Sequence, residues 1–151
     1  MRKIIIAATV GMCVILASVA TAGAAMMQTQ LHSTGKLNVS GTVLWTQASE
    51  TSPIALLVNG AKPRSQVVLK VCGPTLNGAA GTLADQCWAT FRDVNHYQPM
   101  IGVDARGKVR ATLYAKLGAG PTFLVKPQRF ELYASTDLTH PIAVGQLRSG
   151  K

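Results

Sequence analysis

From Leu37 onward the chain is built of short segments in which apolar and polar residues alternate, separated by Gly, Pro, Asn and Asp. This period of two constrains the fold more than any other feature, because side chains alternate faces along a strand and not along a helix. Leu37, Val39, Val43 and Trp45 alternate with Asn38, Ser40 and Thr42. Ile54, Leu56 and Val58 mark a second segment that stops at Asn59-Gly60, and Val67, Leu69 and Val71 a third that runs into Cys72. A looser stretch follows from Gly73 to Gly81. Further strands are predicted over Cys87 to Val94, Tyr97 to Val103 (weakened by Pro99), Lys108 to Leu117, Phe130 to Ala134 and Ile142 to Leu147. No segment of useful length repeats at the helical period, so crossover helices are lacking and consecutive strands should pair antiparallel. The expectation is an all-β, antiparallel sandwich of about seven to eight strands, with two sheets packed over their apolar faces.

The start of the chain is of another kind. Arg2 and Lys3 precede an uncharged apolar run from Ile4 to Ala17, and small residues follow from Ser18 to Ala25. Ala20-Thr21-Ala22 and Ala22-Gly23-Ala24 both fit the small-x-small rule for signal cleavage. Residues 1–24 therefore read as a signal peptide, with an uncleaved membrane anchor as the alternative, since the uncharged stretch from Ile4 to Met27 is long enough to span a bilayer. Either way the two cations hold the start inside and send the remainder out of the cytoplasm, to be periplasmic, secreted or membrane-anchored. Residues 25–36 read as a polar lead-in, and residues 37–151 as the β-sandwich domain.

Charge and cysteines agree with export. Thirteen of the fifteen Lys and Arg follow Ala24, as do all six acids, which leaves a net charge of +7. Such a surplus serves solubility, and it also favours an anionic partner. Cys13 leaves with a cleaved signal, and Cys72 and Cys87 remain as an even pair. In an oxidising compartment they should form a disulfide worth about 3 kcal/mol in the chain-entropy picture. Trp88, beside Cys87, is expected to pack on it.

The run from Asn59 to Cys72, Asn-Gly-Ala-Lys-Pro-Arg-Ser-Gln-Val-Val-Leu-Lys-Val-Cys, resembles the turn and strand of exported bacterial immunoglobulin-like domains. Val103-Asp104-Ala105-Arg106-Gly107-Lys108-Val109 is similar to a turn that feeds a long strand in the same domains, and the enediyne-binding apoproteins have similar segments. The resemblance covers only these two stretches of the chain. It implies an immunoglobulin-like sandwich, and it implies no ligand or active site.

Catalytic patterns are thin. Ser33-Thr34-Gly35-Lys36 matches Ser-x-x-Lys, but neither Ser-Asp-Asn nor Lys-Thr-Gly accompanies it, and a turn is the better reading. There is no Gly-x-Ser-x-Gly. His32, His96 and His140 are scattered over turns and the lead-in, so no metal site and no cofactor is expected unless the fold gathers them. Of the six acids, Asp85, Asp104 and Asp137 fall in expected turns, and Glu131 falls between Arg129 and Tyr133 on an expected outer strand face.

One pattern carries a functional expectation. Along residues 106–117, Arg106, Lys108, Arg110 and Lys116 share one parity, while Val109, Ala111, Leu113, Ala115 and Leu117 share the other. A single strand would place the four cations on one face, as a candidate anion-binding surface, with a solvated protective face as the plainer alternative. The sequence thus predicts a non-enzymatic binding or assembly module of the cell envelope. Its expected partner is an anionic envelope polymer, lipid head groups or another envelope protein, with nucleic acid ranked below these because of export. A small-ligand carrier with a cleft in the sandwich is the alternative, and a periplasmic enzyme or metal-binding protein is third. Oligomeric state is not legible.

Overall fold

The alternating segments become strands because each has a β-branched or aromatic apolar set on one parity and a turn former at its end. The structure, a computed structural model, describes residues 25–47, 53–77, 82–93, 97–115 and 129–147. Within them lie nine strands: β1 (Ala25–Ser33), β2 (Ser40–Gln47), β3 (Pro53–Asn59), β4 (Gln66–Asn77), β5 (Thr82–Ala89), β6 (Met100–Gly102), β7 (Val109–Tyr114), β8 (Arg129–Ala134) and β9 (Asp137–Gln146). No helix occurs among the described residues. The expected signal or anchor lies outside them.

All pairings are antiparallel, and they form one path, β5-β4-β8-β9-β1-β2-β3-β7. β8 occupies one edge of β4 over Val67 to Cys72. β6 (against Gln66 to Val68) and β5 (against Lys70 to Asn77) must therefore share the other edge, end to end. The path curls far enough to bring the segment after β5 against β7. Between β5 and β6, Phe91 exchanges both main-chain hydrogen bonds with Tyr114 of β7, at 2.9 and 2.8 Å.

Two expectations are corrected together. The segment expected as a lead-in is β1, paired with β2 from Ala25↔Gln47 to His32↔Ser40 and with β9 at His32↔Val144 and Ser33↔Ala143. Without β1 the same strands would fall into two sheets, β5/β6-β4-β8-β9 and β2-β3-β7, which is the sandwich arrangement. With β1 in place they make a single curled sheet, a half-barrel, and the two-sheet immunoglobulin-like sandwich is replaced by it.

The concave side holds the core. Leu31, Val43, Trp45, Ile54, Leu56, Leu69, Val71, Leu113, Phe130, Leu132 and Ala143 are fully buried and come from seven strands. Trp45 and Phe130 meet edge to face at 5.9 Å. Burying one such side chain stabilises the fold by roughly 1.5–3 kcal/mol, so the curl is held mainly by this set. Trp88 joins the margin of the core. Trp88 and Cys87 are neighbours in β5, so their side chains leave the strand on opposite sides.

A basic end and a carboxylate-free face

The ends of β1, β3, β6 and β8 and the starts of β2, β4, β7 and β9 lie at one end of the sheet. There the 60–65 and 103–108 loops interlock: Ala61 N–H donates to Gly107 O (3.1 Å), Arg64 N–H to Asp104 O (3.2 Å) and Val103 N–H to Ser65 O (2.9 Å). Gly107 allows this approach. Its φ is +75°, and a Cβ there would meet Ala61 O at 2.5 Å. Arg64 also takes a positive φ, 57°, a conformation uncommon for a residue with a side chain.

The interlock brings Lys62 and Arg64 beside Arg106 and Lys108, and the β1–β2 loop adds Lys36 at the same end. All five are exposed. Among the described residues none of them makes an ion pair at contact distance. Asp104 is the only acid in the two loops, and its Oδ1 accepts the backbone N–H groups of Arg106 and Lys108, both at 2.8 Å. Those hydrogen bonds, that to Lys108 N–H foremost, together with the two nearby cations, hold its carboxyl below the usual carboxylate range. Asp137, at the same end, is held by the Thr139 hydroxyl (2.6 Å), Thr139 N–H (2.9 Å) and His140 Nδ1 (3.0 Å), and these also pull its carboxyl well down. Both acids thus serve their own turns.

The structure divides the four sequence-predicted anion ligands. Arg110 is on β7 and exposed, opposite Leu57. Arg106 and Lys108 are in the turn before β7, where the expected strand face does not extend. Lys116 lies outside the described residues. The predicted alternation does hold within β7, where Val109 and Leu113 are buried while Arg110 and Thr112 are exposed. Sequence reading missed Lys62, Arg64 and Lys36 as neighbours of this group.

The outer face of β1, β2, β3 and β7 continues from the basic end. Its cross-strand rows are Gln30-Thr42-Leu57-Arg110 and Gln28-Leu44-Ala55-Thr112, with His32-Ser40-Asn59 nearer the end. None of these four strands contains an Asp or Glu. Two shallow grooves cross the face. One, of about 480 Å³, is lined by Gln28, Gln30, His32, Val144 and Gln146. The other, of about 230 Å³, is lined by Leu57, Asn59, Lys108 and Arg110.

The opposite half of the outer surface has the reverse character, with its acids engaged by a cation. Glu131, expected on an outer strand face, does lie there, but it is buried at 8% exposure. It accepts Arg129 Nε at 2.6 Å and the Tyr133 hydroxyl. Arg129 also grips Asp85 with its two terminal guanidinium nitrogens, Nη1 and Nη2, at 3.0 and 2.6 Å. The hydrogen bond to Asp85, followed by that to Glu131, raises the Arg129 pKa further. Burial, then the hydrogen bond to Glu131, pushes the Tyr133 phenol up to about 12. Lys70 lies over the Tyr133 ring at 4.1 Å and donates to Leu138 O at 3.0 Å. The network borders the Cys72–Cys87 disulfide, which joins residues directly opposite each other on β4 and β5. This bond fits an oxidising compartment.

The remaining candidates are dispersed. His32 is on β1, His140 is at Asp137, and His96 lies outside the described residues. Among the described residues the one set spaced to hold a metal is Cys72, Cys87 and Glu131, and its two sulfurs are bonded to each other. Ser33 is the last residue of β1, and its hydroxyl donates to the main-chain oxygens of Leu37 and Gly35, as a turn residue does. No protein-family model matches the chain, and no curated protein matches it in sequence.

Proposed function

We propose that this protein is an exported, non-enzymatic binding module of the cell envelope that holds an anionic partner at the basic end of its sheet. The observation that carries the reading is the interlocked loop pair. It gathers Lys62, Arg64, Arg106 and Lys108, all exposed, around a single acid engaged by its own turn. Arg110 extends the group onto β7. Clustered cations without carboxylate partners attract polyanions, and such attraction fades beyond a Debye length of about 8 Å at physiological salt. The signal-like residues 1–24 and the disulfide support export.

The test is retention of the chain beginning at Ala25 on immobilised polyacrylate, with elution by salt. Retention at low salt and loss of it toward physiological salt is the expected result. Arg106→Glu combined with Arg110→Glu should abolish retention while leaving thermal stability nearly unchanged, because both side chains are exposed. A parent protein that passes through at low salt, or a double variant that is retained like the parent, sinks the reading.

A further inference from the structure

We infer that the outer face of β9, β1, β2, β3 and β7 is a binding strip for an acidic polysaccharide, laid across the strands with its carboxylates toward Lys108 and Arg110. This inference rests on the proposed anionic partner and names its chemical class.

The argument starts from composition. A sheet face open to water ordinarily mixes charges of both signs. Here four consecutively paired strands carry no acid, and their exposed outward positions are mainly amides, hydroxyls, a histidine and, on β7, a cation, with Leu57 among them. Gln28, Gln30, His32, Ser40, Asn59, Arg110 and Thr112 are exposed, and Thr42 is half-buried. The Thr42 hydroxyl donates to Gln30 Oε1 at 3.1 Å, and among the described residues the Gln30 NH₂ group has no partner. Gln146 of β9 adds a third amide at the groove shared with Gln28 and Gln30. The second groove holds Asn59, Lys108 and Arg110 around Leu57.

Amides offer both donors and acceptors to hydroxyl groups, while Arg and Lys bind carboxylates through charge-assisted hydrogen bonds. A ligand that satisfies both ends of the strip therefore carries many hydroxyls and recurring carboxylates, which is the chemistry of a uronic acid polymer. Five adjacent strands are separated by four spacings of about 4.8 Å, so the strip extends roughly 19 Å, the reach of a short oligosaccharide. A nucleic-acid strand fits less well, because among the described residues the strip offers one outward aromatic, the half-buried Tyr114 at the end of β7, and not the series on which successive bases stack. A lipid surface fits less well, because among the described residues Leu57 and, on β9, Leu138 are the large exposed apolar residues of these strands, and they lie toward opposite edges of the strip.

The experiment compares three probes at equal charge and ionic strength: polygalacturonate, polyacrylate and phosphatidylglycerol vesicles. The parent should bind polygalacturonate more tightly than polyacrylate. Gln28→Ala combined with Gln30→Ala should weaken polygalacturonate binding by about tenfold, as expected for losing one or two hydrogen bonds, and leave polyacrylate binding unchanged. Unchanged melting temperature confirms that the double variant is folded. Equal affinity for the two polymers, or a Gln double variant that binds polygalacturonate like the parent, overturns the strip and leaves the basic end standing. Preference for vesicles over polygalacturonate also overturns it, in favour of a lipid partner. Binding to none of the three removes the strip and the anionic-partner reading together.

Discussion

Replacing Arg129 by Met tests whether the buried charge network on the β4–β5–β8 side is a structural unit. The substitution keeps the length and apolar stem of the side chain and removes the guanidinium. Glu131, at 8% exposure, then loses its 2.6 Å partner and keeps only the Tyr133 hydroxyl. Removing one partner of a fully buried ion pair costs about 3–5 kcal/mol. The Arg129 side chain is 22% exposed, so water can reach part of the vacated site, and the expected loss falls to about 2–3 kcal/mol. The Asp85 arm adds little, since that carboxylate is 54% exposed and exposed pairs contribute about 0–1 kcal/mol. Asp85→Asn should therefore cost less than about 1 kcal/mol. Adding Glu131→Gln to Arg129→Met should recover most of the loss, because the charge left unpaired is then gone. Urea unfolding at neutral pH with the disulfide intact measures all four proteins, and an unchanged m-value shows that the comparison is one of stability. The same network fixes an alkaline limit. The Tyr133 phenol is raised to about 12 in the folded state, so its contribution is complete below its unfolded pKa of about 10 and is lost as pH rises toward 12. Tyr133→Phe should remove that step. The reasoning fails if Arg129→Met lies within about 0.5 kcal/mol of the parent, or if Asp85→Asn costs as much as Arg129→Met.

Two further outcomes follow from the fold. A chain beginning at Ala25 should fold, whereas one beginning at Leu37 should lack the cooperative transition in circular dichroism, because loss of β1 separates β9 from β2 and removes Leu31 from the core; cooperative folding of the shorter chain would refute the continuous sheet. Gly107→Ala should destabilise by about 1–3 kcal/mol, through the positive φ and the 2.5 Å approach to Ala61 O, and should weaken retention on polyacrylate by loosening the loop pair; a melting temperature and retention equal to the parent's would refute the role given to the interlock.

Most strands could be read from the sequence because their inward residues are aliphatic or aromatic. β1 could not, and its burial pattern explains why. Thr29 and Leu31 are buried and Gln28, Gln30 and His32 are exposed, a regular alternation in which an inward position is a hydroxyl. Thr29 is accommodated because that hydroxyl donates to Gln146 O at 2.6 Å, a partner 117 residues away. No local pattern can announce such a bond. Glu131 presents the same difficulty: parity gives its face, but its burial depends on Arg129 bridging to Asp85, 44 residues earlier. The cysteine pair needed only its even count. The turn cations were visible singly, and what joins Lys62 and Arg64 to Arg106 and Lys108 is main-chain bonding between two distant loops. The lack of acid in the first strands was open to view, since Glu50 is the only acid between Ala25 and Ala84, yet it acquires meaning only once β1, β2 and β3 are neighbours with β7 beside them.

The direction of β1 bears on which partner the basic end meets. β1 enters at Ala25 at the far end of the sheet and reaches the basic end at Ser33, eight rises later, about 26 Å away. If residues 1–24 were retained as an anchor, the membrane they occupy would lie on the Ala25 side. The loops carrying Lys62, Arg64, Arg106 and Lys108 would then point away from that bilayer, beyond the Debye length over which its head groups attract cations. If residues 1–24 are removed, the basic end is free to meet any polyanion. In the anchored case the basic end would not address the membrane through which the chain is held. The proposed acidic polymer fits both cases, and the outer face of β1, β2, β3 and β7 would supply the hydrogen-bonding groups such a polymer needs alongside the cations.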